Sequence, residues 1–108
     1  MSDADTPRDL LIDGELRPAE GGDRLDVLDP ATEEVLASVA SAGAADASAA
    51  ADAAAAAQPG WAATAPRERA EVLRRAFELM TARSEDLARL VTRENGKVLA
   101  EARGEVAY

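Results

Sequence analysis

Between Ala44 and Ala57, eleven of fourteen residues are alanine. Such a run is a strong helix former, because alanine has the highest helix propensity. It also restricts what can be built around it. An alanine face buries little area, and core stabilisation scales with the apolar area removed from water. Gly43-Ala44-Ala45-Asp46 opens this helix, with Asp46 in the first turn where the helix dipole favours a carboxylate. Pro59-Gly60 is its expected end, and Trp61 beyond the break is expected to anchor packing between elements. A quarter of the 108-residue chain is alanine, and its aromatic residues are Trp61, Phe77 and Tyr108. The 47% apolar share therefore overstates the core available, and the chain alone is expected to be marginally stable.

The first forty residues carry a different period. Residues 1–9 read as a polar, acidic, disordered tail. Leu10-Leu11-Ile12 and Glu15-Leu16-Arg17 flank Asp13-Gly14, a pair suited to a tight hairpin turn because glycine tolerates positive φ. After Pro18 and Gly21-Gly22, the stretch Leu25–Asp29 alternates apolar and polar residues as a half-buried strand does. Asp29-Pro30-Ala31-Thr32 has turn chemistry, and Val35–Val39 is the expected partner strand. Two short antiparallel ribbons result, neither of which is stable without a surface to lie against.

Helices follow the alanine run. Pro66 suits a first helical position, and Val72, Leu73, Ala76, Phe77 and Met80 form one apolar stripe at three- and four-residue spacing. Arg67–Glu71, Glu71–Arg75 and Arg74–Glu78 are expected pairs on the outer face. Ser84 is the expected cap of a third helix, with Leu87, Leu90 and Val91 on its buried side and Asn95-Gly96 at its end. A fourth helix begins at Lys97 or Val98, with Leu99, Ala102 and Val106 inward. No glycine, asparagine or proline closes it before Tyr108, so the sequence reads as part of something longer.

Composition narrows the chemistry. The net charge is −9, with no cysteine and no histidine. Thiolate nucleophiles, cysteine metal sites and the commonest general base are thereby excluded. An acidic chain is a poor partner for nucleic acid or an anionic membrane surface. The polar start is no signal peptide, and the expectation is a soluble, cytoplasmic protein. Single residues add little. Lys97 follows Gly96 at a helix start but lacks the rest of a phosphate-binding loop. Glu94, Glu101 and Glu105 form an acidic ladder that reads as a solvated face. Ser84 has no base, Trp61 reads as a packing anchor, and Gly21-Gly22 is too short to cradle a phosphate. The residues by themselves yield no catalytic, cofactor-binding or metal site.

Their order is more informative. Leu11-Ile12-Asp13-Gly14-Glu15 resembles the opening hairpin of aldehyde dehydrogenases, and Asp26-Val27-Leu28-Asp29-Pro30-Ala31-Thr32 resembles their first strand and turn. Val35–Val39, then Trp61 with Arg69, Leu73 and Leu79-Met80, continue the pattern. Leu87–Lys97 is similar to the family's L-A-x-L-x-T-x-E-x-G-K string. Residues Glu101–Tyr108 are closest to the succinate-semialdehyde dehydrogenase branch. Glu33 stands where the family usually has glycine, Leu16-Arg17 where it has a tryptophan region, and Val98 where it has proline.

The resemblance implies an α/β fold: the N-terminal part of an aldehyde dehydrogenase, two β-ribbons and about four α-helices, incomplete as a domain. Residues 10–108 would be the first portion of the cofactor-binding domain, in a longer homo-oligomeric chain that oxidises an aldehyde with NAD or NADP through a cysteine thiohemiacetal. The family's catalytic cysteine, general-base glutamate, oxyanion asparagine and cofactor-contacting lysine lie beyond the matched region. Catalytic, cofactor-binding and metal residues are therefore expected to be none here. Glu105 falls near a family carboxylate that can help hold a structural monovalent cation, too little to assign it a role. The chain alone is expected to be inactive and not to bind the cofactor. A different reading of the same residues is an acidic helical protein-interaction module without enzymatic activity.

Overall fold

The computed structural model describes residues 7–108. The first six residues of the expected tail lie outside them. Arg8 and Asp9 lie against the second ribbon: Arg8 O accepts the Ala40 N–H at 2.8 Å, and the Asp9 carboxylate holds Arg24 at 2.9 Å.

The chain runs β1 (Leu10–Ile12), β2 (Glu15–Arg17), β3 (Arg24–Leu28), β4 (Val35–Ala40), α1 (Ala44–Ala63), α2 (Pro66–Ala82), α3 (Ser84–Asn95) and α4 (Leu99–Ala107). Both ribbons are antiparallel, with Leu11 opposite Leu16 in the first and Leu25 opposite Val39 in the second. The turn of the first is carried by Asp13 and Gly14, at φ 53° and 77°. Two successive positive φ values match the right-handed twist of the strands, as the Asp-Gly pair foretold. In the β3–β4 turn, Asp29 Oδ1 accepts the Ala31 N–H at 2.8 Å. There Glu33 sits at φ 61°. A side chain is strained in that region, which gives a physical reason for the glycine that the family usually carries.

Ile12 is buried, and β1 lies along the alanine face of α1, beside Ala50, Ala53, Ala54 and Ala57. Small side chains allow that close approach. A second tie is made by Asp46, 3% exposed. Its carboxylate accepts the Gly43 N–H at 3.0 Å and the Glu20 N–H at 3.1 Å. It thus caps α1 and fastens the β2–β3 connection to the same helix.

Four expectations need correction. The α1 helix does not stop at Pro59-Gly60 but runs through to Ala63. Proline removes the N–H that would bond the carbonyl four residues earlier, but the backbone stays helical beyond it and the helix closes a turn later, where other donors meet its last carbonyls. Arg69 reaches the Ala62 carbonyl at 3.2 Å, and Thr64 Oγ1 reaches that of Gly60 at 2.9 Å. Trp61 therefore sits in the last turn of α1, 44% exposed, rather than anchoring a break. Ser84 is the first residue of α3, not its cap: Arg83 alone separates α2 from α3, and no side-chain cap bond forms there. On α2, Glu71 is taken by Arg74 and Arg75 rather than Arg67, and Arg74 also holds Glu78.

The expected end of α3 is present. Gly96 adopts φ 75° and its N–H donates to Thr92 O at 2.8 Å. A Cβ there would come within 3.0 Å of the Pro30 ring, so the glycine also lets α3 approach the β3–β4 turn. Beyond it α4 folds back on α3 through Ala88 and Ala102, both fully buried.

The assembly is an open plate, 47 × 36 × 19 Å, with a radius of gyration of 16.7 Å. A closed domain of this length has roughly 13 Å. It exposes 7972 Å², against roughly 5,700 Å² for a compact monomer of this mass. The structured elements do not enclose a core of their own.

Candidate functional site

Lys97 and the acidic ladder come together at the junction of α3 and α4. The Lys97 ammonium donates to the Glu105 carboxylate across a cleft lined by Val91, Glu94 and Asn95. That hydrogen bond, with the charges of Glu105 and Glu101, raises the lysine pKa. The charged form is favoured, and Lys97 stands as the counter-ion of Glu105. At the start of α3, Arg103 grips Glu85 with two bonds of 2.8 and 2.9 Å, and Arg89 adds a third contact at 3.0 Å. Chiefly the Arg103 hydrogen bond lowers the Glu85 pKa. These groups fasten α4 to α3. All are solvated, and the arrangement offers no poised acid or base.

Elsewhere the earlier candidates serve local structure. Gly22, at φ 70°, closes a turn by donating to Ala19 O at 2.8 Å. Ser84 begins a helix. Among the described residues, no group of three or more histidine, cysteine, aspartate or glutamate side chains is arranged to hold a metal ion, and no helix is long and apolar enough to cross a membrane.

What the structure does present is apolar surface. On α2, Leu73 and Phe77 are 66% and 67% exposed, and Val72, Leu79 and Met80 are more than half exposed. At 100° per residue these positions with Ala70 and Ala76 span about half the circumference of the helix. Glu71, Arg74, Arg75 and Glu78 occupy the other half. A stripe that wide is too broad for a single partner helix and suits a helix set into a layered interior. Leu11 and Leu16 on the first ribbon and Leu25, Leu28 and Val35 on the second are likewise uncovered. Exposed apolar faces are thus the most extended surface feature of the described residues. The stripe was visible in the sequence. The roles of Asp46 and Arg69 were not, because their partners lie 26 and 7 residues away. The Gly43–Asp46 spacing of a capping box was the one local signal available.

Known proteins match this chain closely. The model of the aldehyde dehydrogenase family matches residues 17–108. A succinate-semialdehyde dehydrogenase from Paenarthrobacter nicotinovorans is 69% identical over 74 residues, which cover 68% of this chain and 16% of that protein. A glutarate-semialdehyde dehydrogenase from Pseudomonas putida is 48% identical over 90% of this chain and 20% of its own length. Among solved structures, an NADP-dependent enzyme of Escherichia coli superposes with a TM-score of 0.91 at 48% identity, covering 94% of this chain and 21% of that one. Succinate-semialdehyde dehydrogenase from Burkholderia pseudomallei gives 0.87 at 48% identity, with 90% and 20% covered. The chain thus spans about a fifth of the length of these relatives, over their N-terminal part. The family model over most of the chain, the identity to these relatives and the matching backbone lead to one assignment: this chain belongs to the aldehyde dehydrogenase family.

Proposed function

We infer that residues 10–108 are the outer ribbons and first helices of the cofactor-binding domain in an NAD(P)-dependent aldehyde dehydrogenase, a cytoplasmic homo-oligomer that oxidises succinate semialdehyde to the acid. The observation that carries this reading is the uncovered apolar half of α2. Exposed apolar surface of this extent marks a face that binds other chain, and the relatives are about five times as long as this match. The substrate rests on the 69% identity to a succinate-semialdehyde dehydrogenase. A relative named for a glutarate semialdehyde also acts on an aldehyde ending in a carboxylate, and the shared substrate chemistry favours that class.

The reaction itself needs groups from elsewhere. NAD+ or NADP+ would supply a hydride acceptor, but the described residues do not fit one. They contain no parallel strand leading through a glycine-rich loop to a helix, and Lys97 is committed to Glu105. With no cysteine in the chain, no thiolate is available either. The part played by this segment is to bury its faces against the domain that carries those groups and to hold that domain in shape.

A domain exchange tests the reading. Residues 10–108 replace the matching segment of the Escherichia coli succinate-semialdehyde dehydrogenase. The hybrid is expected to retain NADP-linked oxidation of succinate semialdehyde, and the same hybrid with Leu73→Asp and Phe77→Asp to lose it with its fold. An active double variant would refute the packing role. Production of NAD(P)H by residues 1–108 alone would refute the expected inactivity.

A further inference from the structure

Asn95 and Gly96 carry a chemistry that packing does not use. Asn95 is exposed at the end of α3. In an Asn-Gly pair the glycine nitrogen can attack the asparagine side-chain carbonyl carbon. A C–N bond forms, ammonia leaves, and water opens the resulting succinimide to aspartate or isoaspartate. Only water is consumed. Glycine makes the attack easy because no Cβ crowds the nitrogen.

The fold opposes that step in three ways. The Gly96 N–H is committed to Thr92 O at 2.8 Å. Asn95 belongs to α3, and helical backbone angles turn the following nitrogen away from the residue's own side chain. Gly96 is pinned at φ 75° with the Pro30 ring against it, which leaves the cap little freedom to rearrange. We propose that Asn95-Gly96 is a latent deamidation site that the α3 cap keeps shut, and that it reacts when α3 leaves the β3–β4 turn.

The reaction is one-way in its consequences. It adds a carboxylate at the C-terminal end of a helix, where the dipole already disfavours negative charge. The new charge stands beside Glu94 and in the cleft that holds Glu105. Isoaspartate also lengthens the backbone by a methylene at the place where Pro30 is closest. Once converted, the cap cannot re-form as before, so a transient opening is recorded as a permanent lesion.

The test incubates the whole protein at mildly alkaline pH, folded and in concentrated urea, and follows conversion at residue 95 by peptide mass spectrometry. Circular dichroism verifies helix in the folded sample. Conversion is expected to be at least about tenfold slower when folded, and Pro30→Ala is expected to raise the folded rate several-fold while the helix signal persists. Equal rates in folded and unfolded samples would overturn the proposal, as would no conversion in urea or an unchanged folded rate in Pro30→Ala.

Discussion

The α3–α4 hairpin and α2 are neighbouring helical elements of similar charge density with opposite fates. The hairpin finds its partners within the chain. Ala88 on α3 and Ala102 on α4 are both fully buried, Glu85 joins Arg103 across it, and Gly96 seats α3 on Pro30. On α2, the exposed side includes Leu73, Phe77 and Met80, whose larger side chains have more to gain from burial. The contrast shows where stability comes from at this size. Alanines let two helices close on each other but contribute little area, while the large residues that could stabilise a core stay exposed on α2.

Substitutions that break one side of this contrast should leave the other untouched. Ala102→Leu is expected to do the most damage, because a fully buried alanine has no room for three more carbons. Overpacking of this kind costs about 1–3 kcal/mol, read as a lower melting temperature by circular dichroism. Phe77→Ser should stay within about 0.5 kcal/mol in the same chain, since its side chain is already in water. Equal losses in the two variants would mean that α2 is covered after all.

Gly96→Ala comes next. The left-handed backbone penalises a side chain by about 1–2 kcal/mol, and the 3.0 Å approach to Pro30 acts in the same direction. The loss should appear in α3 and α4 by hydrogen exchange while α2 is unaffected. A smaller change of opposite sign is expected at Thr92, whose Oγ1 is buried without a hydrogen-bond partner. Thr92→Val keeps the shape and removes the orphaned hydroxyl, for a gain of about 1 kcal/mol. A destabilised valine variant in a denaturant melt would show that the hydroxyl has a partner in solution.

The least effect is expected from the ion pairs. Glu85 has a lowered pKa, with Arg103 the main cause. Its contribution is present above the ordinary carboxylate value of 4.5 and is lost as pH falls through the lower, folded value. Being solvated, it should also fade with added salt. Melting curves across that pH range should shift less in Arg103→Gln than in the parent chain, and an unchanged shift would remove the pair from the hairpin's support.

Much of the layout was legible because it rests on neighbours in sequence. Asp13-Gly14 could be read as a hairpin turn, Gly96 as a left-handed cap and Pro66 as a helix start, since each depends on backbone preferences of one or two residues. The same logic misled at Pro59 and Ser84. A proline ends a helix on local grounds, but α1 runs through it and closes only at Thr64, where Arg69 and Thr64 bond its last carbonyls. A serine caps a helix only if a loop precedes it, and here a single residue does. The tie from Asp46 to Glu20 could not be read in this way, because its two ends lie far apart in sequence.

The sequence by itself determined the two ribbons, the four helices, the wide apolar stripe of α2 and the family to which the chain belongs. Periodicity, turn chemistry and motif order are all written along the chain. Tertiary structure decided which faces close. Ala88 and Ala102 become buried and Phe77 does not, because burial depends on what else comes within contact distance, and that is set by chain folding back from far away in sequence.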